Sequence, residues 1–238
     1  MPVNGSITVV AVHGAWADGS SWKDVILGIE REGLRIVAAP IPLTSLSDDI
    51  AALKRALARV KGPVILAGHA YAGAVIASVN DERVKALVYV AALAPDEGET
   101  VAQVFYRDEP HPQAPQLAPD GDGFIWMTDE DFESAFAQHA TAEQIALSAA
   151  VQRPISVKCI QEPVANPAWR SKPSWFLIAE EDRMINPKTQ YFMAERMGAR
   201  ARSLAVDHMP LLSAPEKVVE MIMDAKRAVF PSEPKELL

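Results

Sequence analysis

Only one cysteine, Cys159, occurs among the 238 residues. It has no partner for an internal disulfide, and with no histidine cluster at ligand spacing a structural zinc site is excluded as well. Such a lone thiol reads as a small, buried or half-buried apolar residue. Basic residues are also in short supply: 23 Lys and Arg stand against 31 Asp and Glu, the net charge is −8, and no basic run exceeds a pair. A phosphate backbone needs a basic stripe, so nucleic acid is not the expected partner. Long hydrophobic runs are missing too. The N-terminal MPVNGSITVVAVHG has no basic stretch ahead of its short apolar segment, which stops at Gly14. The expectation is a chain with neither signal peptide nor membrane span, resident in the cytoplasm. No internal repeat or low-complexity tract is present.

What the chain does have is a composition that is 49% hydrophobic and 23% charged, enough for a sizeable core in one domain. Its 18 prolines cluster from Pro95 to Pro119 and from Pro154 to Pro173, which marks an irregular insertion inside a regular scaffold. Short β-branched runs recur as ITVVAV (Ile7 to Val12), RIVAAP (Arg35 to Pro40), VILAG (Val64 to Gly68), VKALVYVAA (Val84 to Ala92), SWFLIA (Ser174 to Ala179) and ARSLAV (Ala201 to Val206). Most are continuously apolar, as strands buried on both faces are. Helical patterns lie between them, from Trp22 to Glu32, Ser47 to Val60, Ala72 to Val79, Lys188 to Met197 and Pro215 to Val229. Alternation of this kind predicts an α/β fold, a mostly parallel sheet covered by helices on both faces.

Boundary residues support those elements. Ser45 and Ser47 precede the second helix as candidate caps, and Asp48 and Asp49 in its first turn complement the helix dipole. Gly198 ends the Lys188 helix and Pro215 opens the last one. The expected organisation is a core of residues 1–94 and 170–230, an inserted lid of residues 95–169, and a frayed tail of residues 231–238. Within the lid, Asp129 to Gln138 and Ala142 to Val151 read as helices.

Three segments carry candidate chemistry. In LAGHAYAGAVI, from Leu66 to Ile76, a strand, a tight turn and a helix present one side chain above the sheet edge, in the pattern of a G-x-S-x-G nucleophile turn. The residue presented is Ala70, and Ala72 stands where the second motif glycine is usual. In VHGAWADGSSW, His13 and Gly14 end a strand and a small residue, Ala15, follows. His13 itself reads as a turn residue bonded to local backbone. Near the C-terminus, EEDRMINP and DHMPLLSAPEKV each follow a strand, an acid and then a histidine in the order in which a carboxylate orients an imidazole. Asp182 is the expected acid, with Glu180 or Glu181 as substitutes if the loop is shifted, and His208 is the expected base. Asp207 reads as a surface carboxylate.

In this order, the three segments resemble the α/β-hydrolase superfamily across almost the whole chain outside the lid. HGAWADGSSW, GHAYAGAV, VYVAALAPDEGE and VDHMPLLSAPEKV are most similar to the branch of small bacterial esterases, plant methylesterases and hydroxynitrile lyases. The resemblance implies the α/β-hydrolase fold with a small helical lid inserted after the sixth strand of that fold's numbering. It also implies hydrolysis of an ester of a small apolar molecule, with no metal and no cofactor. Carried over, it makes Ala70 the nucleophile position, where serine is expected, with Asp182 the acid, His208 the base, and Ala15 and Tyr71 the oxyanion donors. Two readings of Ala70 stay open. Either serine has been replaced, or alanine is native and Asp182 and His208 activate water, perform lyase-type acid and base chemistry, or persist in a small-molecule binding protein. Trp16, Phe105 and Trp126 are the candidate substrate contacts, with packing as the alternative for each. Arg107 and Arg153 read as solvated, and a homodimer contact through the lid or the Lys188 helix is compatible with the sequence.

Overall fold

The computed structural model describes residues 7–231, so most of the expected tail lies outside the described residues. A six-stranded sheet forms its centre, with strand order β2-β1-β3-β4-β7-β8 and every neighbouring pair parallel. The strands are β1 (Thr8–Val12), β2 (Arg35–Ala39), β3 (Val64–His69), β4 (Val84–Val90), β7 (Ser174–Ala179) and β8 (Arg200–Leu204). A second, two-stranded antiparallel sheet, β5 (Phe124–Ile125) with β6 (Ile155–Ser156), belongs to the inserted segment. The mostly parallel, helix-covered sheet is the fold class that the alternating pattern predicts.

Burial follows position in the sheet. Every residue of β1, β3 and β7 is buried, in keeping with sequences that are apolar except at Thr8, His69 and Ser174. The last strand, β8, lies at the edge and is exposed from Arg200 to Ser203. Two of those exposed residues are arginines, which blunt the edge against pairing with another strand.

Helices flank the sheet. On one side α1 (Lys23–Arg31) packs on the short α9 (Pro210–Ser213) and on α10 (Pro215–Val229), and α10 spans β3, β4 and β7. Elsewhere α2 (Leu46–Ala58) packs on α3 (Ala72–Ala77), α3 lies along β3 and β4, and α8 (Pro187–Arg196) covers β7. The cap of α2 is Ser45, whose side chain accepts from the Asp48 amide. Ser47 is not a cap: its amide and hydroxyl both donate to Glu162 of the inserted segment. Among the described residues no helix is long and apolar enough to cross a membrane.

The insertion leaves the sheet after β4 and returns at β7. It contains α4 (Val101–Phe105), α5 (Asp129–Asp131), α6 (Ala142–Ala150), α7 (Val157–Gln161) and a closing 3-10 turn at Ala168–Arg170. The single helix expected from Asp129 to Gln138 does not form as such. After α5 the chain widens into a π-helical turn at Phe132–Phe136, which buries Phe132, Ala135 and Phe136 together. Phe132 and Phe136, four residues apart, lie on one face of that turn and both rings join the buried core.

Strand register sets where chemistry can occur. Val12 at the end of β1 pairs with Ala39 on one side and Gly68 on the other, so the loops after β1 and β3 leave the sheet at one level. Strand order also reverses there, because β2 lies to one side of β1 and β3 to the other. That reversal opens a crevice at the carboxyl ends of the strands, the usual ligand position in such sheets. The turn after β3 is tightly built. A side chain at Gly73 would bring its Cβ to 2.2 Å from the Leu93 carbonyl oxygen. Gly73→Ala is therefore expected to destabilise the fold by about 1–3 kcal/mol or more in urea unfolding, because backbone must move to admit the methyl. A midpoint equal to that of the native chain would contradict the packing described for the turn.

Candidate active site

Ala70 occupies the bend between β3 and α3 with φ of 51°, the left-handed region that costs a non-glycine residue about 1 kcal/mol. The bend is held on both sides. The Ala70 amide donates to Val90 at 3.2 Å, and its carbonyl accepts from Gly73 at 3.1 Å and Leu93 at 3.0 Å. The strained turn is thus fully formed around a methyl group. Opposite it, a Cβ built on Gly14 would come within 3.0 Å of the Ala70 methyl, which explains why the residue after His13 has no side chain. His13 bonds locally, its Nδ1 lying 2.9 Å from the Gly14 carbonyl oxygen.

Beyond β7 and β8, Asp182 and His208 meet. Asp182 Oδ2 accepts from His208 Nδ1 at 2.8 Å, and both side chains are almost completely buried. All of the carboxylate's remaining capacity is used: Oδ1 accepts the Met184 and Ile185 amides at 2.8 Å each, and Oδ2 also accepts from Gln190 Nε2 at 2.8 Å. A carboxylate held by four donors does not rotate, so the imidazole it orients is fixed as well. With Nδ1–H committed to Asp182, the Nε2 of His208 carries the free lone pair, as a general base requires. Glu180 pairs instead with the Tyr191 hydroxyl and Glu181 with His139, so neither substitutes for Asp182.

Three further residues support this pair, and sequence reasoning did not assign them. Gln190 spans the acid's surroundings, donating to Asp182 and to the Ile185 carbonyl at 3.0 Å while accepting from the Ala179 amide at 3.0 Å. His69, beside the bend, lies 2.7 Å by its Nε2 from the His208 carbonyl oxygen, a bond that fixes the backbone of the base. Burial, and then the nearby His208, lower the His69 pKa to about 3, so its ring is neutral. Asp207 is the correction among the carboxylates: it is fully buried, not solvated. It accepts the His139 amide of the inserted segment at 2.9 Å and the Ser213 hydroxyl at 2.6 Å, and so joins the inserted segment to the loop that carries His208.

The Ala15 and Tyr71 amides make no hydrogen bond to another group among the described residues, and both residues line the cavity that Ala70 and His208 face. Tyr71 is fixed from below. Its hydroxyl donates to Asp49 Oδ2 at 2.7 Å, while Asp49 Oδ1 accepts the Leu43 amide at 2.7 Å. Asp49 is therefore not the exposed helix-dipole partner expected of it. Burial pushes its pKa up to about 6, and Cys159, also buried, lies 3.6 Å from its Oδ2. The thiol's pKa is raised by burial and by Asp49, which leaves it inert.

The cavity and its open mouth together span about 580 Å³, and among the described residues no Lys, Arg, Asp or Glu lines it. Trp16 and Phe105 contribute to its wall together with Leu93, Leu117, Ile155 and Ile185. Trp126 does not. It is 53% exposed and its indole N–H donates to Asp120 on the outer face of the lid, because the alternation along β5 turns Ile125 inward instead. Arg107 lies over the Phe192 ring and pairs with Asp108, outside the cavity.

Residues 9–221 match the model of the Alpha/beta hydrolase family, and the chain belongs to that family. It is 24% identical over 245 residues to the Alpha/beta hydrolase nvfD of Aspergillus novofumigatus (strain IBT 16806), covering 91% of this chain and 95% of that one. It is 25% identical over 171 residues to the carbendazim hydrolyzing esterase of Nocardioides sp. (strain SG-4G), covering 66% and 69% respectively. Among solved structures it resembles a variant of tomato methylketone synthase I complexed with beta-ketoheptanoate. That similarity has a TM-score of 0.81 at 16% identity and covers 94% of this chain and 99% of the other.

A neutral, buried His69 makes the fold sensitive to acid. Its folded pKa lies below the ordinary 6.5, so between pH 6.5 and about 3 the unfolded chain binds a proton that the folded chain refuses. Stability from this group is complete above pH 6.5 and is lost as pH falls. His69→Gln is expected to be less stable than the native chain at pH 7.5, and to recover relative to it by up to about 1.4 kcal/mol per pH unit below 6.5. Urea unfolding at four pH values measures this, and a constant difference would contradict a neutral His69.

Proposed function

We propose that this chain carries an esterase-type site for a small, neutral, apolar molecule, with every part in place except the nucleophilic oxygen. The observation behind this reading is the buried Asp182 and His208 pair at 2.8 Å, facing the same apolar cavity as a strained Ala70 bend and two unpaired amides. A serine at that bend would attack a carbonyl carbon while His208 Nε2 took its proton. The Ala15 and Tyr71 amides would hold the oxyanion, each donor contributing about 3–4 kcal/mol to the transition state. An alanine methyl removes the covalent step and leaves the recognition of the substrate. Loss of such a nucleophile costs about a million-fold in turnover, while oxyanion donors and binding preserve about a thousand-fold over water.

Charge supports the substrate class. With no ionic side chain in the cavity wall, a charged group would lose its hydration without compensation, whereas each buried methylene gains about 0.8 kcal/mol.

A second reading uses the same groups without a nucleophile. The two amides can hold an enolate oxygen, and His208 can deliver or remove the proton at carbon. Cleavage of a β-keto acid that enters in its neutral form fits this scheme: His208 Nε2 takes the carboxyl proton, the bond to the carboxylate carbon breaks, its electron pair enters the enolate, carbon dioxide leaves, and His208 returns the same proton to carbon. It is favoured by Ala70, which leaves His208 free of a serine partner, and by the likeness to the methylketone synthase structure that holds beta-ketoheptanoate.

Ala70→Ser is expected to raise hydrolysis of p-nitrophenyl acetate or butyrate by at least a thousand-fold over the native chain, and His208→Ala in that background is expected to abolish the gain. A folded Ala70→Ser protein with no gain would count against the esterase reading. Carbon dioxide release from a 3-oxo acid by the native chain, lost in His208→Ala, would establish the second reading in its place.

A further inference from the structure

Trp16 walls two spaces. On one side lies the cavity of Ala70 and His208, and on the other a second cavity of about 590 Å³ including its mouth. The floor of the second space is formed by Phe136 of the π-helical turn together with Met209 and Leu212 of the segment that follows the base. Leu147 and Val151, at α6 and its end, border it with 56% and 36% of their surface exposed, so it opens to solvent. Asp18, Lys23, Asp24, Gln144 and three serines supply the polar part of its lining.

The indole between these spaces is fixed in three ways. Its amide donates to the Arg153 carbonyl at 3.0 Å and its Nε1 to the Ile125 carbonyl at 2.9 Å, both in the inserted segment. Phe136 stands edge-on to it, ring centroids 6.2 Å apart, and the same phenyl lies 5.4 Å from the His208 ring. Trp16 also adopts φ of 55°, a left-handed conformation that a bulky side chain rarely takes. Backbone strain of this kind is retained where surrounding structure needs the side chain in one place.

We propose that Trp16, braced by Phe136, is the end wall that limits the length of a substrate in the catalytic cavity, and that the second cavity is the continuation of that space for a longer neutral acyl or alkyl chain. The inference rests on the reading that substrate lies beside Ala70 and His208. A chain extending past the wall would run over Phe136, Met209 and Leu212 toward the mouth, where a polar end group could meet water. Removing the indole joins the two spaces.

Because the native chain lacks a nucleophile at residue 70, binding can be measured without hydrolysis, and 2-alkanones from butanone to dodecanone provide unreactive probes of length. Calorimetric titration of the native chain is expected to show affinity rising up to about fourfold per added methylene and then levelling once the wall is reached. In Trp16→Ala the rise should continue several carbons further, so that the longest ketone binds at least tenfold more tightly than it does to the native chain. Trp16→Phe, with a smaller ring, should move the break point in the same direction by less, and serves if the alanine variant does not fold. An identical break point in native and variant chains would overturn the proposal, as would failure of every ketone to bind. If the break point moves while Ala70→Ser hydrolyses no ester, the esterase reading falls and the length wall stands.

Discussion

A left-handed residue between a strand and a helix is the constraint on which the site depends. At Ala70 the chain must reverse within one residue, which brings the Gly73 backbone against Leu93 and the Gly14 backbone against the Ala70 methyl. The bend is costly and is compensated by three hydrogen bonds to its own amide and carbonyl. It presents the side chain of residue 70 above the sheet edge and leaves the next amide, that of Tyr71, without a partner among the described residues. A turn retained for packing alone would not need an unpaired amide at the cavity wall. Under the proposed function, that amide is one of the two donors for a developing negative charge.

Around this bend, buried polar groups fix one another in a connected arrangement. Four donors hold Asp182, Asp182 holds the His208 ring, and His69 holds the His208 backbone. Asp207 extends the arrangement to the lid through the His139 amide, and Arg183 does so through the Ser134 carbonyl. Asp49 plays the equivalent part beneath Tyr71. Buried polar groups are stable only when satisfied, so each of these bonds also fixes the position of the next. The His208 ring is therefore held beside the cavity by the protein's own hydrogen bonds.

The sheet and its helices were legible because their signals are local: β-branched runs, turn residues and 3.6-residue spacing all act within a few positions. Asp182, His208, Ala15 and Tyr71 were singled out by their position after strands and by a family resemblance; Ala15, Tyr71 and His208 line one cavity with Ala70, and Asp182 lies behind His208. What escaped depends on contacts between distant segments. Asp207 looks like any carboxylate in a loop until the His139 amide arrives from 68 residues away. Asp49 shares its helix turn with exposed Asp48, and nothing in LSDD separates the one that meets Tyr71 from the one that meets water. Gln190 carries no motif. Within the lid, short strands and a π-helical turn replace the regular helix expected from Asp129 to Gln138, and Trp126 faces outward because a two-residue strand sets its side. Alternation over so short a strand is not readable without its partner.

If the site is complete except for one oxygen, restoring that oxygen must make residue 70 reactive toward an electrophile that needs both a base and an oxyanion site. Intact-mass measurement after treatment with an alkyl fluorophosphonate is the direct test, since the serine oxygen would bond to phosphorus, fluoride would leave, and His208 would take the proton. The account predicts a single stoichiometric adduct at residue 70 in Ala70→Ser and none in the native chain. A folded Ala70→Ser protein that stays unlabelled, or a native chain labelled to the same extent, would contradict it.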